Sequence, residues 1–161
     1  MAIPVYAWLY DDAGNLIKGS ADVSGRENSI EVLSVMSLTE VPVDPYTGKS
    51  ASARCHQPLY FDKVIDSSTP CLLKALTNGK KLKSAKFDYY RINDNGQEEH
   101  YFTLFLEGVQ VCTNATLMYD IKSRYGSTIE PVESVALSYE KLTSHYVDGN
   151  ILHADSWRVR A

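Results

Sequence analysis

Alternating apolar and polar residues dominate the chain and predict β-strands along most of its length. In residues 5–10, Val5, Ala7 and Leu9 share one face and aromatic side chains occupy the other. Such a two-residue period is typical of strands that pack at least one face against a core. Strands are predicted over residues 5–10, 16–18, 30–38, 59–65, 83–92, 98–106, 109–118, 132–147 and 151–158.

Turn residues separate these strands at the spacing expected of an antiparallel sheet. Asn93-Asp94-Asn95-Gly96 and Asp148-Gly149 predict tight hairpins, and Glu107-Gly108 predicts a break between two strands. Within residues 132–147 the apolar positions change from odd to even numbers between Tyr139 and Leu142. A bulge or bend near Lys141 is therefore expected, because one extra residue exchanges the two faces of a strand.

One segment, residues 68–79, predicts a helix of two to three turns. Ser68 or Thr69 can cap its first amides, and Pro70 suits the first helical position. Apolar residues recur on one face, and Asn78-Gly79 supplies a left-handed exit. Because so short a helix does not persist alone in water, it is expected to pack on the sheet.

These elements predict a single domain over residues 1–161, mainly β. The expected fold is an antiparallel β-barrel or tight sandwich of about eight strands with one flanking α-helix. Apolar residues also fall on the outward faces of several strands, as at Leu33 and Val35 in the strand 30–38, where Met36 and Leu38 are assigned to the core face. The protein is therefore expected to bury strand edges or faces against further copies of itself.

Residues 39–57, which we call the arm, form an unusually long connection for a compact domain. Loops of this length are commonly functional or disordered. Pro42 and Pro45 lie among apolar residues here, which favours a stiff projection over a flexible tether.

Composition and charge exclude several classes of protein. The 161 residues carry a net charge of −4 with both signs scattered, so no basic patch for nucleic acid is predicted. The 3 cysteines lack CxxC spacing, which argues against a zinc ribbon or a disulfide framework and favours a reducing compartment. The amino terminus has no pattern of a cleavable export signal, and no segment approaches membrane-spanning length.

Three local clusters contain residue types found in catalytic or metal sites. His153, Asp155 and Ser156 suggest a hydrolase, but Ser156 faces the opposite side of a strand from the other two. Glu98-Glu99-His100 and Cys55-His56 are neighbours in extended chain, so their side chains diverge. The local sequence therefore predicts no catalytic residue, no metal site and no cofactor.

Several blocks in order along the chain resemble the haemolysin-coregulated protein (Hcp) family, the tube-forming component of bacterial type VI secretion. The central block resembles the family signature through Lys63, Ile65-Asp66, Ser67, Ser68, Pro70, Leu72, Ala75 and Gly79. Residues 2–20, 89–102 and 138–157 resemble the first strands, a middle hairpin and the closing hairpin of the family.

The resemblance implies a non-enzymatic structural protein that shares its fold with phage tail tubes. Six copies would form a ring, and stacked rings would form the inner tube that a contractile sheath expels together with its spike tip. The lumen would carry small effector proteins. The protein would reside in the bacterial cytoplasm before firing and then be secreted without a cleaved signal peptide.

The resemblance also assigns roles to parts of the chain. It implies that the arm reaches an adjacent subunit or ring, through Val41, Pro42, Val43, Asp44, Pro45, Tyr46, Thr47 and Gly48. The neutral polar faces expected to line the lumen carry Gln110, Asn114 and Thr116, or Ser134 and Ser138. Two alternatives stay open, namely a closed barrel that binds a small apolar ligand and a hydrolase that uses His153 and Asp155.

Overall fold

The computed structural model of the chain describes residues 3–158, which form one main antiparallel sheet, one small sheet and one helix. In the main sheet the strand order is β11-β10-β8-β7-β1-β3-β6-β9, with β2 attached to β1. The elements are β1 (Val5–Tyr10), β2 (Leu16–Ile17), β3 (Ile30–Met36), β4 (Thr39–Glu40), β5 (Cys55–His56), β6 (Leu59–Val64), α1 (Thr69–Asn78), β7 (Leu82–Ile92), β8 (Glu98–Leu117), β9 (Val132–Ser138), β10 (Lys141–Tyr146) and β11 (Ile151–Ser156).

The sheet closes into a barrel because β8 pairs both with its neighbour β7 and with β9, the last strand of the order. Residues 98–109 of β8 pair with β7, and residues 110–117 pair with β9. The strands β7, β1, β3, β6, β9 and β8 thus form a closed circuit. The hairpin of β10 and β11 extends the sheet beyond this circuit from residues 102–107 of β8. The predicted barrel with one flanking helix is confirmed.

Side chains fill the interior of the barrel. Phe61 and Phe87 meet edge to face with ring centroids 5.3 Å apart, and both are at most 1% exposed. Leu9, Leu59 and Leu106 are fully buried around them. These residues occupy alternate positions on their strands, which is why the two-residue period of the sequence identified them.

The helix α1 lies against the barrel and ends as the sequence predicted. Gly79 adopts the left-handed conformation with φ 64°, and Leu72 and Ala75 are buried. The predicted side-chain cap is absent at Ser68, whose hydroxyl instead donates a hydrogen bond to Asp66 at 2.5 Å. Asp66 therefore organises the turn that leads into the helix.

A buried ionic cluster joins β6, α1 and β9. The ammonium group of Lys63 lies 2.5 Å from a carboxylate oxygen of Glu133 and 3.0 Å from one of Asp66. Thr69 at the start of α1 donates to Glu133 at 2.7 Å, and Asn114 on β8 donates to it at 2.6 Å. Burial alone would raise the pKa of Asp66, but hydrogen bonds from Ser68 and Lys63 outweigh it and hold that pKa below its ordinary value.

The β8 strand is continuous where a break was expected. Gly108 takes a positive φ of 62° without interrupting the pairing, so the predicted break at Glu107-Gly108 is wrong. Three residues later the register with β9 shifts between Val111 and Thr113. This bulge exchanges the two faces of β8 beyond Cys112.

Two further strands depart from the simple alternation. The register of β3 with β6 shifts between Val32 and Ser34, which turns Met36 outward, where it is 58% exposed. The expectation that Met36 lies on the core face is therefore wrong. Residues 132–147 form two strands instead of one, because the chain bends at Glu140 between β9 and β10. This bend, directly before Lys141, confirms the expected bulge or bend and accompanies the change of apolar phase.

Replacing Lys63 by methionine is expected to destabilise the fold by about 3–5 kcal/mol, because it leaves two buried carboxylates without their cation. Urea denaturation at one fixed protomer concentration measures this cost. The matched control is Lys81→Met, since Lys81 pairs with Glu140 at an exposed site and should contribute at most about 1 kcal/mol. Adding Glu133→Gln to Lys63→Met should recover part of the loss. Equal effects of the Lys63 and Lys81 substitutions would contradict the structural role of the cluster.

Candidate assembly surfaces

The arm projects from the barrel as a narrow hairpin with an exposed aromatic tip. Tyr46 is 95% exposed, and Val41 and Val43 are about half exposed. At the tip, Asp44 accepts hydrogen bonds from the amide of Tyr46 at 2.9 Å and the hydroxyl of Thr47 at 3.0 Å. The same two bonds hold the pKa of Asp44 below its ordinary value. The tip is therefore held in one shape while its apolar side chains face solvent.

The walls of the arm are held together by few backbone contacts. β4 and β5 pair through two residues each, Val43 bridges to Ser50, and Ala51 donates its amide to the carbonyl of Pro42 at 2.7 Å. Proline at 42 also limits the local backbone. The arm is therefore a short paired hairpin, and its stiffness stays a prediction.

Side chains at the base of the arm bind the end of the sheet through a network that we call the clasp (Arg54, His56, Tyr139 and Asp155). Arg54 donates to the Asp155 carboxylate at 2.5 Å and to the carbonyl of Ser156 at 3.0 Å. The imidazole of His56 lies 2.7 Å from the same carboxylate through Nε2 and 3.0 Å from the Tyr139 hydroxyl through Nδ1.

The Asp155 carboxylate of the clasp is ionised under ordinary conditions. Hydrogen bonds from Arg54 and then from His56 lower the pKa of Asp155 to about 2. A carboxylate with a depressed pKa loses its contribution only as the pH falls through that value, so the Asp155 contacts persist at every pH well above 2. Burial raises the pKa of Tyr139, which keeps its hydroxyl neutral.

The clasp could not be recognised from the sequence. Asp155 is separated from Arg54 by 101 residues and from His56 by 99 residues. The sequence offered His153 as the partner of Asp155, but His153 lies opposite Ser144 in the pairing of β10 with β11. The histidine that binds Asp155 is therefore His56, from the pair at 55 and 56 that local spacing had set aside.

The imidazole of His56 is engaged on both sides within the clasp, and its side chain is only 3% exposed. The hydroxyls near its Nδ1 atom are those of Tyr139 at 3.0 Å and of Thr39 at 3.3 Å. The sulfur of Cys55 lies 3.7 Å from the side-chain amide of Gln57 and takes no part in the network. The ring of His56 therefore links the carboxylate of Asp155 to hydroxyl groups at the base of the arm.

The side chains of the acidic cluster at residues 98–100 also bind separate partners. Glu98 accepts from Arg26 at 2.5 Å, whose guanidinium lies over the ring of Tyr90 at 4.0 Å. Glu99 pairs with Arg91 at 2.8 Å. Within residues 3–158, no group of His, Cys, Asp and Glu side chains converges as a metal site would require.

The polar residues predicted to line a lumen lie on two different faces. Gln110 pairs with Ser138 before the β8 bulge, whereas Asn114 and Thr116 lie beyond it. Asn114 and Thr116 stand opposite the inward residues of β9, and Asn114 binds the buried Glu133. The expectation that Gln110, Asn114 and Thr116 share one face is therefore wrong, because the bulge at Cys112 reverses the alternation.

The outward face of β8 and β9 carries a different set of polar residues from the inward face that holds Asn114 and Thr116. Gln110, Ser134 and Ser138 share this face, together with Ala115, which stands opposite Ser134. The hydroxyl of Ser134 also donates to Asp62 on β6. A polar strip of small side chains thus runs across the outside of the barrel.

A groove of about 510 Å³ lies outside the barrel, between α1 and the turn that joins β1 to β2. Leu16, Ile17 and Leu82 contribute to its lining. The barrel interior is instead occupied by the packed Phe61 and Phe87. The geometry therefore gives no support to a small apolar ligand held inside the barrel.

The strand edges form the remaining candidate surface. β11 pairs with β10 on one side only, within the described residues. Its side chains Ile151 and Leu152 point to opposite faces and are 67% and 55% exposed. Residues 110–117 of β8 likewise pair with β9 alone in the part of the chain that is described, because β7 reaches only as far as the pair Leu82 and Val109. The structure thus presents two different strands with unpaired backbone groups.

No helix among the described residues has the length and apolar composition needed to cross a bilayer.

Comparisons with known proteins identify relatives over nearly the whole chain. Residues 6–146 match the family described as "Type VI secretion system effector, Hcp". The major exported protein of Pseudomonas aeruginosa is 30% identical over 153 residues, which cover 94% of this chain and 86% of that protein.

Solved structures share both the sequence and the fold. The Hcp1 protein of the Escherichia coli EAEC 042 pathovar is 49% identical, with a TM-score of 0.88 over 97% of this chain and 99% of that one. A second Hcp protein is 26% identical, with a TM-score of 0.90 over 99% of this chain and 100% of the other. The family match includes the barrel strands from residue 6 onward, the helix, the arm and all of β10. The chain belongs to the Hcp family of the type VI secretion system.

Proposed function

We propose that the protein is the subunit of a hexameric ring, and that stacked rings form the inner tube of the type VI secretion apparatus. The proposal is supported by two strand edges, β11 and residues 110–117 of β8, whose backbone groups lack a strand partner on one side within the described residues. An unpaired edge exposes a row of N–H and C=O groups that a further strand satisfies. In this account the further strand comes from the next copy of the protein.

The β11 edge is suited to such pairing because it carries no proline, lysine or bulge, and its charged residue, Asp155, is already paired with Arg54. Strands that must stay monomeric commonly carry proline, lysine or a bulge at the edge. β11 has the sequence ILHADS and contains none of these devices. Its exposed Ile151 and Leu152 add apolar area on both faces, so that a neighbouring sheet can continue across it.

The second edge, residues 110–117 of β8, makes the contact heterologous. An interface between two different surfaces repeats from copy to copy and closes into a ring where the rotation permits. Pairing of β11 in one protomer with β8 in the next satisfies both edges at once. The number six follows from the family, and the unpaired edges supply the physical reason to assemble.

The arm supplies the axial contact in this proposal. A stiff tip with an exposed aromatic residue resembles the anchors that carry most of the binding energy at protein interfaces. Tyr46 stands at that tip and Val41 and Val43 flank it. The segment 41–48 thus reaches an adjacent subunit or ring, and the ordered turn at Asp44 reduces the entropy lost on binding.

The lumen carries small effector proteins in this proposal, and the polar outer strip of β8 and β9 is its candidate lining. Neutral hydroxyl and amide groups, such as those of Gln110, Ser134 and Ser138, bind cargo weakly enough to release it. The sheath and the spike are the expected partners outside and at the tip of the tube. The protein resides in the bacterial cytoplasm before the apparatus fires and is then expelled with the tube. It performs no catalytic step in this proposal.

Light scattering coupled to size exclusion tests the ring. At tens of micromolar the mass is expected to be six times the protomer mass of 18.0 kDa. Replacing both Ile151 and Leu152 by lysine should reduce the mass to that of the protomer, because lysine on an edge strand disfavours the addition of a further strand. The control pair is Ile65→Lys with Leu73→Lys, which adds the same charge at exposed apolar positions away from β11. A monomeric unmodified protein would count against the proposal.

Stacking is tested with a variant of the arm that carries Pro42→Ser, Tyr46→Ser and Gly48→Ala. The ring should remain, whereas tube formation should fall, because the anchor is lost and Gly48 has a positive φ of 71° that alanine adopts poorly. Electron microscopy of tube lengths provides the measurement. Tyr125→Ser, which removes another exposed tyrosine, is the control for the aromatic change. Tubes of unchanged length in the triple variant would show that the arm does not make the axial contact.

A further inference from the structure

The clasp joins two surfaces that the proposed function uses for different contacts. Arg54 and His56 lie at the base of the arm, which makes the axial contact in the proposal. Asp155 and the carbonyl of Ser156 belong to β11, which makes the lateral contact. One carboxylate therefore connects the stacking segment to the ring edge.

The arm depends on this connection for its direction. Its own pairing consists of Thr39 opposite His56 and Glu40 opposite Cys55 at the base, with a single bridge between Val43 and Ser50 further out, and so short a two-stranded hairpin is only marginally stable by itself. The contacts at its base add two hydrogen bonds from Arg54 and one from His56 to the β11 strand. Bonds to an ionised carboxylate are roughly twice as strong as neutral ones.

The same connection is exposed to fraying in a lone protomer. Within the described residues, β10 is the one strand that pairs with β11, and most side chains of β11 are solvent exposed. Strands with few buried contacts open locally at a small fraction of the global free energy of unfolding. Each opening of β11 removes Asp155 from Arg54 and leaves His56, which is 3% exposed at the side chain, without its carboxylate.

We propose that Asp155 is a positioning residue that couples lateral pairing of β11 to the orientation of the arm. This inference rests on the proposed function and adds an order of events to it. When a neighbouring protomer pairs with β11, the strand stops fraying, and the carboxylate fixes Arg54 and His56. The arm then takes the orientation needed for stacking only in protomers that are already part of a ring.

The coupling acts in both directions. The free energy by which lateral pairing of β11 favours the ordered arm equals the free energy by which the ordered arm favours lateral pairing of β11. A lone protomer presents a less ordered arm and binds the end of a tube weakly. A ring presents several ordered arms together and binds it strongly. The tube is thereby extended by complete rings.

Hydrogen–deuterium exchange of residues 39–57 tests the clasp. Asp155→Asn should accelerate exchange in the arm by at least about tenfold, because it removes the charge from the two hydrogen bonds that Arg54 and His56 make to this carboxylate. The control is Asp148→Asn, which removes the same charge from the turn of the same hairpin and should leave the arm unchanged. Arg54→Gln provides a second route to the same effect. Arm exchange in both clasp variants equal to that of the control would overturn the proposal.

The coupling itself is tested by adding the edge substitutions Ile151→Lys and Leu152→Lys. These prevent lateral pairing while leaving every clasp residue in place. Arm exchange should rise in this variant relative to the ring, and adding Asp155→Asn should raise it little further, because both changes release the same contact. Equal arm exchange in the unpaired protomer and the ring would disprove the coupling.

The outcomes separate this inference from the ring proposal. If the unmodified protein stays monomeric in light scattering, both fail together. If it forms rings but Asp155→Asn leaves arm exchange and tube length unchanged, the ring stands and the coupling alone is wrong.

Discussion

The unpaired backbone of two strands is the constraint on which this structure depends. β8, with 20 residues, closes the barrel by pairing with β7 and β9, and closure removes the edges within that circuit. The same strand also carries β10 and β11 out of the barrel, which creates a new edge at β11. A barrel that seals its own core therefore still exposes backbone groups that another chain can satisfy. In the proposed ring, assembly satisfies these backbone groups.

The interior is organised separately from these edges. Hydrophobic side chains fill the barrel, and the buried pair of Lys63 and Glu133 fixes where the helix begins. Removing one partner of a buried ion pair destabilises the fold, because the other charge stays buried without compensation. The pair therefore holds β6, α1 and β9 in one arrangement. Lys63 and Asp66 are among the residues through which the chain resembles its family, and the cluster gives their presence a physical reason. The barrel and helix thus support the arm and the strand edges that are proposed to face neighbouring copies.

Local sequence predicted much of this architecture because its signals act over a few residues. The alternation in β1 and β7, the hairpin at residues 93–96 and the glycine exit at Gly79 were all recognisable. The bulge at Cys112 was not, because its neighbours Thr113 to Thr116 are polar or small and give no apolar period from which to detect a change of face. The clasp was hidden for another reason, since pairing at a distance of 99 residues leaves no local pattern. Family resemblance supplied the role of the arm, but only the structure joined its base to Asp155.

An electron cryomicroscopy map of the purified, assembled protein tests the central claim most directly. The account predicts rings with an open centre in which β11 of each protomer lies beside residues 110–117 of the next β8, hydrogen-bonded along their backbones. A map in which β11 keeps a solvent-exposed edge, with protomers joined only through other surfaces, would contradict it.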